Sequence, residues 1–210
     1  MPAIGISILA LLMAALVARA SGWRVGVGIF AILAFEYFIA AQGVLKQWER
    51  LPPALMVMMA VLVILTLRLA FSGRLDHLSI GVIVLSQAFR LPLELVMHQA
   101  YADGLMPKQM SFSGCNFDIV TGATALVVGA LALRGAAPKW LLIAWNLLGT
   151  LLLLTIMAIA VVSTPVFEYF GTAPDQLNTW IADPPYVWLP GVLVPSALLG
   201  HALLWRRLRG

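Results

Sequence analysis

Apolar runs about twenty residues long, broken by short polar stretches, set the pattern of this chain. Seven segments read this way: Ile4–Ala18, Val25–Leu45, Pro53–Phe71, Leu78–Gln99, Phe117–Leu133, Trp140–Thr164 and Tyr186–Trp205. A helix needs about 20 predominantly apolar residues to cross the hydrocarbon core of a bilayer. Short polar breaks separate most of the runs, while Ala100 to Asn116 and Pro165 to Pro185 form longer connections. No solenoid-length repeat and no appended soluble domain interrupts the pattern. The expected architecture is therefore all-α: a single polytopic membrane domain of seven transmembrane helices over residues 1–210.

Composition agrees with this pattern. The chain is 62% hydrophobic and 10% charged, against about 45–50% and about 25% for an ordinary soluble domain. Disorder, collagen and disulfide scaffolds are excluded, and the single cysteine, Cys115, has no partner for an internal bridge. A net charge of +4 would suggest nucleic acid only in a soluble chain. Here the bilayer is the expected partner, nucleic acid is not, and the basic residues are topology signals.

Seven alternating spans gather nine basic residues at one set of ends: Arg19, Arg24, Arg68, Arg74, Arg134, Lys139, Arg206, Arg207 and Arg209. Lys46, Arg50 and Lys108 fall at the other. Basic flanks stay cytoplasmic, so the N-terminus is expected outside and the C-terminus inside. Ala18-Arg19-Ala20 resembles a signal-peptide cleavage site. However, no Lys or Arg precedes the apolar core, and cleavage would turn the basic bias outward. An uncleaved first helix is expected.

Ionisable groups inside a span cost about 2.5–3.5 kcal/mol each at the helix centre, so they are the first place to look for function. The fourth span carries Gln87, Arg90, Glu94 and His98, within an arc of about 80° at 100° per residue. That stripe must face the bundle interior. Pro92 lies off it and predicts a kink. Two readings stand for Arg90 and Glu94: an intrahelical ion pair at i,i+4 that eases insertion, or a site that binds a polar solute or relays a proton. His98, near the outer end, reads as an interfacial polar residue or a ligand. Glu36 in the second span, and Asn116 and Asp118 at the start of the fifth, are expected at matching depth. One arginine facing three carboxylates leaves a negative excess, which suits a cation or proton better than an anion.

Asn146, with Gly149 and Thr150, suggests helix packing and interhelical hydrogen bonding in the sixth span. Pro190, Gly191 and Pro195 predict an irregular seventh span, which also carries Ser196, Gly200 and His201. The connection Tyr101–Asp118 mixes turn formers with Leu105, Met106, Met110 and Phe112. Such an apolar loop should fold back onto the bundle, as a lid over the polar stripe or as a packed connector.

Several chemistries are set aside. A retinal Schiff base needs a lysine inside a span, and Lys46, Lys108 and Lys139 lie in loops. Intramembrane zinc hydrolases need several histidines at one level, whereas His98 is placed near the outer boundary and His201 about 22 Å below it. No nucleotide, dinucleotide, H-E-x-x-H or C-x-x-C fingerprint occurs, so neither metal nor cofactor is expected.

Three stretches together carry a resemblance: Phe89-Arg90-Leu91-Pro92-Leu93-Glu94, Met110 to Ile119, and Val187-Trp188-Leu189-Pro190 with Val194-Pro195 and Gly200-His201. They resemble a family of uncharacterised bacterial multi-pass, seven-helix membrane proteins. Its relatives read M-T-F-E-G-x-N-F-D-I where this chain has Ser111, Ser113 and Cys115. Ser113 replaces an acidic residue, which puts a role for that position in doubt here. The resemblance covers about the second half of the chain and implies the spans and the outer loop, with no activity to transfer.

The leading expectation is a membrane protein that binds or moves a small solute, cation or proton through an outer-facing polar site. Arg90 and Glu94 would form its centre, with Asp118, Glu36, His98, Asn116 and Gln87 contributing. The alternatives are an intramembrane enzyme on a lipid-like substrate, with Glu94, His98 or Asp118 as acid or base, and a non-catalytic subunit or receptor-like protein within an oligomer or larger complex.

Overall fold

Residues 1–209 are described by a computed structural model. Helix α1 spans Pro2–Ser21, α2 Trp23–Ala41, α3 Ala54–Phe71, α4 Ile80–Ala102, α5 Ile119–Leu133 and α6 Lys139–Val162. The last helix, α7, covers Val194–Arg209 and is entered through a π-helical turn, Leu189–Leu193. The described residues contain no strand.

Local sequence explains the boundaries. Prolines stand where a helix begins and its first N–H groups lack partners anyway: Pro2 inside α1, Pro53 and Pro138 just ahead of α3 and α6. Gly22, at a φ of 94°, breaks the chain between α1 and α2 in a conformation that side chains resist. In α4 the segment Gln87–Phe89 tightens into a 3₁₀ turn just ahead of Pro92, whose ring cannot continue the regular ladder.

Five helices, α1, α2, α3, α4 and α6, are long and apolar enough to cross a membrane. In α1 and α2 the two faces differ little in polarity. In α1 the stripe Ile6, Leu9, Ala10, Met13 and Ala14 is buried, yet Ile4, Ile8, Leu11 and Leu12 on the other face are apolar and exposed. Phe35 and Phe38 of α2 each leave 60% of their surface uncovered. A helix that is apolar all round suits hydrocarbon rather than water. Helix α5 has only 15 residues, about 22 Å. The connection ahead of it packs into the bundle through Met106 and Met110, both buried.

Small residues decide the closest approach. A Cβ on Gly122 would strike the backbone between Arg90 and Leu91, one on Gly129 would sit 2.9 Å from Leu85 Cα, and one on Gly81 2.6 Å from the Leu133 nitrogen. The antiparallel α4 and α5 therefore pack backbone against backbone. Helix α7 is buried along most of its length among α1, α3, α4 and α6.

Side chains also tie the connections at each end of the bundle. Arg206 pairs with Asp76, and Arg207 donates to the Asp76 carbonyl at 2.7 Å. At the opposite end Lys46 pairs with Asp183. Two apolar clusters fill the interior, one toward each end, and the layer between them is polar.

Candidate functional site

Arg90, first residue of α4 after its 3₁₀ turn, is buried to 1% exposure. Its Nε donates to Asp118 Oδ2 at 2.6 Å and its Nη2 to Asp118 Oδ1, a side-on, two-point ion pair. Its remaining nitrogen, Nη1, lies 2.7 Å from His201 Nε2. A guanidinium can only donate, so His201 Nε2 accepts and the ring is the neutral Nδ1–H tautomer. That N–H donates to Asn146 Oδ1 at 2.7 Å, and Asn146 Nδ2 returns a bond to the His201 carbonyl at 3.2 Å. The chain Asp118–Arg90–His201–Asn146 thus joins α5, α4, α7 and α6.

Room for this layer comes from Gly149. A Cβ there would lie 2.5 Å from His201 Cε1 and 2.8 Å from Thr121 Cγ2. Trp145 covers the imidazole, with ring centroids 5.7 Å apart.

The expected Arg90–Glu94 ion pair is not the one that forms. Asp118, at the mouth of α5, takes both forks of the guanidinium, and Glu94 instead accepts from Asn116 Nδ2 at 2.7 Å. The same nitrogen also donates to the Met110 carbonyl at 3.0 Å, and Asn116 Oδ1 receives the Asp118 N–H at 3.0 Å. Asn116 therefore pins the outer connection into the bundle, as the apolar character of that loop led one to expect. Glu94 is 2% exposed and, among the described residues, has no cation within ion-pair distance.

A cavity of about 50 Å³ lies beside this cluster, lined by Arg90, Glu94, Asp118, Leu93, Leu193 and four methionines among other residues. By volume it holds one ion or a few waters. Met110 and Ile181, from the two long connections, are part of its lining. Those connections are clasped together by Gln109, whose Nε2 donates to Ser163 Oγ at 3.1 Å and to the Gln176 carbonyl at 2.8 Å.

The remaining sequence candidates lie apart from Arg90. His98 is half-buried near the outer end of α4, where it stacks on Phe112 at 4.2 Å and meets Ser113 Oγ at 3.3 Å. It holds the outer loop rather than the buried cluster. Glu36 is 1% exposed, but it packs against Gly191 of the π-helical turn and neither of its oxygens has a hydrogen-bond partner. Gln87 is buried over Gly200, with its Oε1 unpartnered. Only Arg90, Glu94, Asn116 and Asp118 come together.

His201 and Asn146 are the members that sequence reasoning did not place in the site. The misplacement of His201 lies in the span edges. That residue is twelve positions in from Leu189, and Arg90 lies twelve positions in from Ala102, about 18 Å in each case. Setting the span edges at Tyr186 and Gln99 put the two residues at different depths.

The chain was compared with protein-family models, curated proteins and solved structures, and none matches it.

Proposed function

We propose that this is a seven-helix protein of the bacterial inner membrane, N-terminus outside and C-terminus cytoplasmic, that binds or moves a small cation or proton at Glu94. One observation carries the reading. Glu94 lies buried on a small cavity without a cationic partner, because the nearby arginine is already engaged by Asp118. A buried carboxyl in that position is stabilised by acquiring either a proton or a cation. The two clasped connections above the cavity then serve as the outer gate.

The test is flux in proteoliposomes, read with a pH-sensitive dye and with cation-sensitive probes. Glu94→Gln should abolish the flux while the purified variant keeps wild-type helicity and elution volume. Unchanged flux in a folded Glu94→Gln protein removes the reading.

A second reading, a non-catalytic membrane subunit, is favoured by the Asp118–Arg90–His201–Asn146 chain, which joins four helices with well-made hydrogen bonds. On that reading Arg90→Ala lowers stability or releases a partner, and the wild-type protein shows no flux.

A further inference from the structure

We propose that the cavity beside Glu94 is a binding site for a soft monovalent cation, Cu(I), held by methionine thioethers with the Glu94 carboxylate balancing its charge. This rests on the reading of Glu94 as a cation site and names the class of cation.

Four of the chain's nine methionines line this one cavity. They come from four separate elements: Met59 from α3, Met97 from α4, Met110 from the outer connection and Met157 from α6. Met97 and Met110 are 3% and 2% exposed, so their sulfurs are shielded from bulk water.

The oxygen chemistry points the same way. Na⁺, Mg²⁺ and Ca²⁺ are held by several oxygens, and Ca²⁺ takes about 6–8 of them. Here both Asp118 oxygens serve Arg90, and one Glu94 oxygen already accepts from Asn116. Too few oxygens remain for a hard cation, while thioether sulfur selects Cu(I) among the biological metals. A volume of about 50 Å³ accommodates a single ion. The charges also close: Arg90 balances Asp118, and a monovalent cation balances Glu94.

The test uses Ag(I), a redox-inert stand-in for Cu(I), on the full chain in detergent. The exposed thiol of Cys115 is removed first by Cys115→Ser, since it would bind silver by itself. Equilibrium dialysis against excess Na⁺ should leave a single Ag(I) on the protein, and X-ray absorption should show a sulfur shell around it. Met97→Leu with Met157→Leu, a swap of similar volume that cores tolerate, should weaken binding by at least about 10- to 100-fold, the loss seen even when only the groups supporting a metal's ligands are removed. No retained silver, a shell of oxygen only, or unchanged affinity in the folded double variant overturns the proposal. Glu94-dependent proton flux in a protein that holds no silver would overturn this inference and leave the function proposed above standing. Silver binding without any Glu94-dependent flux would do the reverse for transport.

Discussion

Arg90 bonds to Asp118, 28 residues away on another helix, and not to Glu94, one turn away on its own. The consequence is a division of labour among three buried charges. Asp118 neutralises the arginine, and Glu94 is left without a cation on the wall of a largely apolar cavity. An intrahelical pair would have satisfied both residues of α4 and left Asp118 alone at the start of α5. Asp118 also approaches the guanidinium side-on, giving the two-point geometry of the stronger arginine–carboxylate pairs.

The first prediction concerns that pair. Arg90→Ala should destabilise the protein by about 3–5 kcal/mol, because it leaves a buried carboxylate without its partner. Arg90→Met combined with Asp118→Leu should recover most of the loss. Unfolding in mixed micelles, followed by helicity, measures both. A double variant no better than the single would mean that His201 and the cavity, rather than the ion pair, set the stability.

Gly149→Ala should cost about 1–3 kcal/mol, since the added methyl overlaps the position of His201 Cε1. The imidazole signals of His201 should move in NMR spectra of the labelled protein. Unperturbed His201 resonances would show that α6 and α7 have slack that the packing does not suggest.

Asn116→Ala removes three bonds at once, to Glu94, the Met110 carbonyl and the Asp118 N–H. Each buried group left unpaired costs about 1–3 kcal/mol. The outer connection should loosen, so backbone amides from Met106 to Asn116 should exchange faster with deuterium. Protection equal to wild type would assign the loop's order to its apolar contacts alone.

His98→Ala should leave any Glu94-dependent flux intact and lower stability by about 0.5–1.5 kcal/mol for the stack on Phe112, plus the area that the half-buried ring covers. Loss of flux on this substitution would return His98 to the site and argue that the outer loop gates it.

Cys115 offers a reading of orientation, being exposed on the connection between α4 and α5. A membrane-impermeant maleimide should label it in intact spheroplasts. Labelling only after lysis would invert the proposed topology.

Much of this protein is legible in one dimension. Helix existence and approximate extent follow from apolar runs, because a bilayer admits few backbone solutions and each must satisfy its own hydrogen bonds. The inward stripe of α4 follows from the cost of placing Gln87, Arg90 and Glu94 against lipid, and all three are buried. The apolar outer loop folds back, and Pro190 and Pro195 accompany an irregular entry to α7.

What the tertiary structure decided was partnership. Whether Arg90 turns to Glu94, Asp118 or Glu36 depends on which helices are neighbours and how deeply each begins, and apolar runs specify edges only to within a turn. A three-residue shift at Leu189 and another at Ala102 brought His201 level with Arg90. Glycines invisible as chemistry, Gly122 and Gly149, set the distances at which the polar groups meet. Four methionines scattered over about a hundred residues share one cavity for the same reason: their convergence is a property of helix packing, which no local pattern encodes.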